Sequence, residues 1–128
     1  MRGGLGFLTE VAPLTFHTTL TSAGDALIAL TGELDLSGAA PLDEEIDRLV
    51  AQDGVRRVVV DLRELEFMDS SGLRLVALAE RRLGAAGREL VLVRGPEAVQ
   101  RVFAITRMDE HLTWVDGPDA LDDGEAAA

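Results

Sequence analysis

Cysteine is absent from the 128 residues, which removes disulfides, thiolate metal sites and cysteine nucleophiles and fits a cytoplasmic protein. Lysine is absent too: all 12 basic residues are arginine, a bias we read as genomic base composition with no bearing on activity. Histidine is scarce, limited to His17 and His111. No apolar run approaches the roughly 18 uninterrupted residues of a spanning helix, so no membrane insertion is expected. The opening stretch MRGGLGFLTEVAPLTF is broken by Gly, Thr, Glu and Pro and reads neither as a signal peptide nor as a membrane span. Positive charge is also in short supply. The net charge of −11 argues against a nucleic-acid backbone or an anionic bilayer as the main ligand and points to a protein partner with a basic surface.

What is present is enough for one folded domain, with 47% hydrophobic residues to build its core. The chain divides into a loose N-terminal extension (1–12), a domain (13–116) and an acidic, Ala-rich tail (117–128) in which Asp119, Asp122, Asp123 and Glu125 are concentrated. From Leu14 to Leu20 bulky and polar residues alternate as in a half-buried strand. A turn at Thr21–Asp25 then predicts a hairpin with Ala26–Thr31. Gly32–Ser37 breaks the strand pattern before a helix predicted from Pro41 to Ala51, where Pro41 suits the first turn and the acidic residues after it suit the positive dipole end. Val55–Leu62 contains the unbroken run Val58-Val59-Val60, the mark of a strand covered on both faces. A second helix is expected over Leu73–Ala86, a strand over Glu89–Val93, a third helix from Pro96 to about Thr106 and a short strand within His111–Val115. The order β-β-α-β-α-β-α-β implies an α/β domain, a mixed sheet of four to five strands packed against helices.

Chemistry concentrates in Phe67-Met68-Asp69-Ser70-Ser71-Gly72-Leu73, between a buried strand and an apolar helix. A hydrolase nucleophile elbow would need Gly-x-Ser-x-Gly, but Met68 and Asp69 stand two residues before the serines. Neither histidine lies near them in sequence to serve as a base. Carboxylates follow helix faces and the tail rather than any metal-ligand spacing, so no metal and no cofactor is expected. The Gly95-Pro96 turn lacks the Gly-rich run and lysine of a phosphate loop and reads as helix initiation. Ser70 can serve as a helix cap, worth about 1 kcal/mol, but capping does not use both serines and the aspartate. Neither serine has the Glu or Gln of a capping box, so hydroxyl capacity is left over for modification. A phosphate there would meet the free N–H groups and dipole of the following helix and alter the surface without unfolding it. In that helix Leu73, Leu75, Val76, Ala79 and Leu83 read as core, while Leu78 shares a side with Arg74 and Arg81 and forms an apolar patch suited to docking. Asp35, in the Gly32–Asp35 turn, belongs near Ser70 because loops after neighbouring strands converge on one sheet edge.

With these residues assembled, the chain resembles the STAS-domain family, and most closely its single-domain anti-sigma factor antagonists. The matching pieces are TGELDLSGA (31–39), VVVDLRELEFMDSSGLRLV (58–76) and GPEAVQRVFAITRM (95–108). The resemblance implies a STAS-like fold and a non-enzymatic partner switch. The unmodified protein would bind an anti-sigma factor with serine-kinase activity and so free a sigma factor. Phosphorylation of Ser70, with Ser71 the second candidate, would end binding, and a PP2C-type phosphatase would restore it. The resemblance further implies Asp35 in the partner interface and Asp69 and Gly72 as shaping the phosphorylation loop; Arg74 and Leu78 complete the expected partner-binding set. Two rivals stand beside this reading: a STAS subunit of a lipid-transport ABC system or scaffold module of a stress-signalling complex, and a serine-dependent enzyme.

Overall fold

The turn after Leu20 folds β1 (Thr15–Leu20) back onto β2 (Asp25–Leu34) as an antiparallel hairpin, Thr15 opposite Thr31 and Leu20 opposite Ala26. The computed structural model describes residues 12–121, so the expectations for 1–11 and 122–128 lie outside the described residues. After β2 each further strand is reached through a helix, which forces parallel pairing. The chain runs α1 (Leu36–Val50), β3 (Arg57–Met68), α2 (Ser70–Ala85), β4 (Glu89–Val93), α3 (Glu97–Ile105) and β5 (Trp114–Val115). Short 3-10 turns occupy Met108–His111 and Pro118–Ala120. The sheet order is β1-β2-β3-β4-β5, a mixed sheet as expected.

Because the chain steps one strand at a time in one direction, right-handed crossovers put α1, α2 and α3 on the same face. The main core follows from this. Ile28, Leu30, Val58, Val60, Leu62 and Leu92 of the sheet pack with Leu42 and Ile46 of α1, Val76 and Leu83 of α2, and Phe103 of α3. The other face holds a smaller cluster in which buried Val59, Val91 and Val93 meet Leu27, Val115 and Leu121. The valine run of β3 is therefore covered on both sides: Val58 and Val60 under the helices, Val59 under the segment that ends in Leu121.

Several boundaries differ from expectation, each for a local reason. Helix α1 starts at Leu36, not Pro41, because Asp35 supplies its N-cap; Pro41 lies inside the helix on its exposed side, where the missing N–H removes one bond without clashing with the core. Strand β3 continues past Leu62 to Met68. Pairs Ala29/Asp61 and Thr31/Glu64 are followed by Gly32/Leu65 and Glu33/Phe67, so β3 carries an extra residue at each of two bulges. Its buried positions accordingly fall at Leu62, Leu65 and Met68 and escape a period-two pattern. Helix α2 begins at Ser70 rather than Leu73. The last strand shrinks to Trp114–Val115, behind a 3-10 turn that takes up His111. Residues 117–121 of the expected tail belong to the fold, since Pro118–Ala120 forms a turn and Leu121 packs on the second cluster.

Candidate functional site

Two aspartates end adjacent strands at one sheet edge. Leu34 and Met68 are register partners at the ends of β2 and β3, and Asp35 and Asp69 follow them as the one-residue links into α1 and α2. The Asp69 N–H donates to the Leu34 carbonyl at 3.3 Å, which ties the two links together. Asp35 is thus brought to the serine turn as the topology required.

Each aspartate caps its helix. Asp35 Oδ1 accepts from the Ser37 N–H at 3.1 Å, the Gly38 N–H at 3.3 Å and the Ser37 hydroxyl at 2.8 Å. The hydrogen bond from the Ser37 hydroxyl, followed by the backbone donors, lowers the Asp35 carboxyl below its ordinary range. Asp69 Oδ1 accepts from the Ser71 N–H at 2.8 Å, while the Asp69 carbonyl accepts from the N–H groups of Gly72 at 3.0 Å and Leu73 at 3.3 Å. This assigns the cap to Asp69 and takes it from Ser70. It also uses the first-turn amides that a phosphate was expected to meet. Ser70 is the first residue of α2 and is exposed, and among the described residues its hydroxyl makes no hydrogen bond.

Gly72 is what lets α2 start this close to the strand ends. A Cβ built there would lie 2.3 Å from Met68 Cγ, 2.8 Å from its sulfur and 3.0 Å from Leu34 Cδ2. The helix N-terminus is therefore seated directly on the two residues that precede the capping aspartates.

Between α1 and α2 runs an open groove of about 350 Å³, bordered by Leu36, Ala39 and Asp43 on one helix and Ser71, Arg74 and Leu78 on the other. Leu36 is 77% exposed and Leu78 38% exposed, two apolar side chains on the two walls of the groove. Farther along, Arg82 of α2 forms ion pairs with Asp43 and Asp47 of α1 and holds the helices in place. Asp35, Asp69, Ser70, Ser71 and Gly72 thus gather at one end of the domain, and Arg74 and Leu78 line the groove that runs from it. Leu36, Ala39 and Asp43 were not singled out from the sequence. Leu36 and Ala39 precede the expected start of α1, which hid the helical stripe they form with Asp43. His17 sits exposed on β1 and His111 ends a 3-10 turn; neither borders the groove. No helix among the described residues is long and apolar enough to cross a membrane.

The chain is similar to known proteins in both sequence and fold. A family model described as Mlab, STAS domain matches residues 18–115. The chain is 34% identical over 93 residues to the anti-sigma-F factor antagonist RsfB of Mycobacterium tuberculosis, a match covering 73% of this chain and 69% of RsfB. It is similar to the solved structure of the anti-sigma factor antagonist SpoIIAA in its unphosphorylated form, with a TM-score of 0.75 and 25% identity over 88% of this chain and 97% of that one. The phosphorylated form of the Bacillus cell fate determinant SpoIIAA shares the fold, with a TM-score of 0.66 and 24% identity over 83% and 96% of the two chains.

Proposed function

The chain belongs to the STAS-domain family, and we propose that it acts as an anti-sigma factor antagonist whose partner binding is switched by phosphorylation at Ser70. In the unmodified state it binds an anti-sigma factor that is also a serine kinase, through the surface around Asp35, Asp69, Gly72, Arg74 and Leu78, and a sigma factor is released. In the kinase reaction the Ser70 hydroxyl oxygen bonds to the γ-phosphorus of ATP, ADP leaves and the hydroxyl proton passes to a base on the kinase. A PP2C-type phosphatase reverses the modification. The protein itself is a substrate and a binding module, not an enzyme, and uses no cofactor.

The observation that carries this reading is the division of labour at the start of α2. Asp69 caps the helix, so the exposed Ser70 hydroxyl has no structural duty and can be modified without loss of the fold. The similarity to RsfB and SpoIIAA supports the choice of partner class.

A phosphoserine adds about −1.5 to −2 charges, and a charge for which the docked partner offers no counter-charge costs about 2 to 5 kcal/mol. That corresponds to a roughly 30-fold to several-thousand-fold loss of affinity. Asp35 and Asp69 sharpen the effect by like-charge repulsion.

The test is to incubate the protein with anti-sigma kinases and Mg-ATP and to locate the phosphate by mass spectrometry. Modification at Ser70, abolished by Ser70→Ala, is the expected result. Modification elsewhere, or copurification with a transport ATPase or a large assembly in place of a small kinase, would count against it and favour the lipid-transport or scaffold reading.

A further inference from the structure

Arg74 carries a charge that the fold does not use. Arg48 is paired with Glu45 and Arg82 with Asp43 and Asp47, but among the described residues Arg74 makes no ion pair and no hydrogen bond. It is exposed on α2 four positions after Ser70, one helical turn away on the same face, where Cβ atoms lie about 5 to 6 Å apart. Side chains on a helix lean toward its N-terminus, so the guanidinium reaches back toward the serine and not away from it.

A phosphoryl group on Ser70 finds three amides of the first turn of α2 already engaged. The N–H groups of Ser71, Gly72 and Leu73 are engaged by Asp69. The residues that follow β2 and β3 at this sheet edge, Asp35 and Asp69, are both carboxylates. We infer that Arg74 is the intramolecular counter-ion of phosphorylated Ser70, folding back from the rim of the α1–α2 groove to pair with the phosphate. The modification then changes the docking surface twice, by adding a dianion at the serine turn and by withdrawing the cation at the groove rim. This rests on Ser70 being the modified residue.

The test installs phosphoserine at position 70 during translation and follows its phosphorus resonance through a pH titration. The second ionisation of phosphoserine falls near pH 6, and a nearby cation favours the dianion. The expected result is a pKa lower by about half a unit with Arg74 present than in Arg74→Ala, as for an exposed ion pair. Arg81→Ala removes the same charge from a more distant, exposed position of α2 and should titrate like the parent. Equal pKa values for the parent and Arg74→Ala would overturn the contact, as would an equal shift in Arg81→Ala, which would reduce the effect to net charge. Because no kinase is involved, failure of kinases to modify Ser70 would count against the proposed function and not against this ion pair.

Discussion

Replacing Gly72 by alanine tests the close seating of α2 on the strand ends. The added Cβ would stand 2.3 Å from Met68 Cγ and 3.0 Å from Leu34 Cδ2, and Met68 is only 2% exposed, so the contact cannot be relieved by swinging the side chain into solvent. Overpacking of this kind costs about 1 to 3 kcal/mol, and the nearest atom is an inner carbon of the side chain, which places the cost in the upper part of that range. Alanine recovers about 1 kcal/mol of helix propensity, leaving a net loss of about 1 to 2 kcal/mol. For a domain of this size that lowers the melting temperature by about 4 to 10 °C. Gly84, on the same helix, is the internal control: a Cβ there meets nothing within 4 Å, so Gly84→Ala should leave stability unchanged or raise it by up to about 1 kcal/mol. Urea and thermal unfolding followed by far-UV circular dichroism measure both variants. Adding Met68→Ala should make Gly72→Ala nearly neutral in that background, a coupling of about 1 kcal/mol or more. If Gly72→Ala is as stable as Gly84→Ala, the close approach is wrong, and with it the reason the serine turn is held against the strand ends.

Three further outcomes follow from the same geometry. Arg57 and Asp25 are register partners at the start of β3 and β2, both buried and joined by two hydrogen bonds of 2.9 and 3.0 Å; Arg57→Ala should cost about 3 to 5 kcal/mol in urea unfolding, and Asp25→Leu with Arg57→Met should recover most of it. Asp69→Ala should lose about 1 kcal/mol with the cap of α2, whereas Asp69→Asn, which keeps an acceptor for the Ser71 N–H, should lose a few tenths, again read from urea midpoints. The Asp35 carboxyl is lowered on folding from its ordinary value of 3.8, chiefly by the Ser37 hydroxyl. Its contribution is therefore fully present above that value and disappears as pH falls through the folded one. The stability difference between the parent and Asp35→Asn, measured from pH 7 down to pH 2, should shrink below about pH 4 and not above it.

Much of the architecture was legible because hydrophobic periodicity and turn chemistry agree. The β1–β2 hairpin, the valine run of β3, the strand Glu89–Val93 and the helix after Pro96 all stand where residue patterns put them. The failures cluster at the functional edge. Two bulges in β3 move its buried residues to a spacing of three, so Leu65 and Met68 do not register as strand positions even though both are fully or nearly fully buried. Leu36, Ser37 and Gly38 look like a turn until Asp35 is recognised as a cap, and Pro41 then draws the predicted start of α1 too far along. The groove shared by α1 and α2 was out of reach for the same reason, since most of its α1 wall, Leu36, Ala39 and Ala40, lies before that late start. At the serine turn local pattern could not divide the duties of Asp69 and Ser70. Hydrogen-bond geometry divides them, with the aspartate holding the helix and the serine hydroxyl left outward.

The most direct measurement compares the affinity of the unmodified and the Ser70-phosphorylated protein for the same anti-sigma factor by isothermal titration calorimetry, with circular dichroism showing that both are folded. A fall in affinity of at least about 30-fold on phosphorylation, with an unchanged fold, is the predicted result. Equal affinity for the two folded forms would contradict the switch.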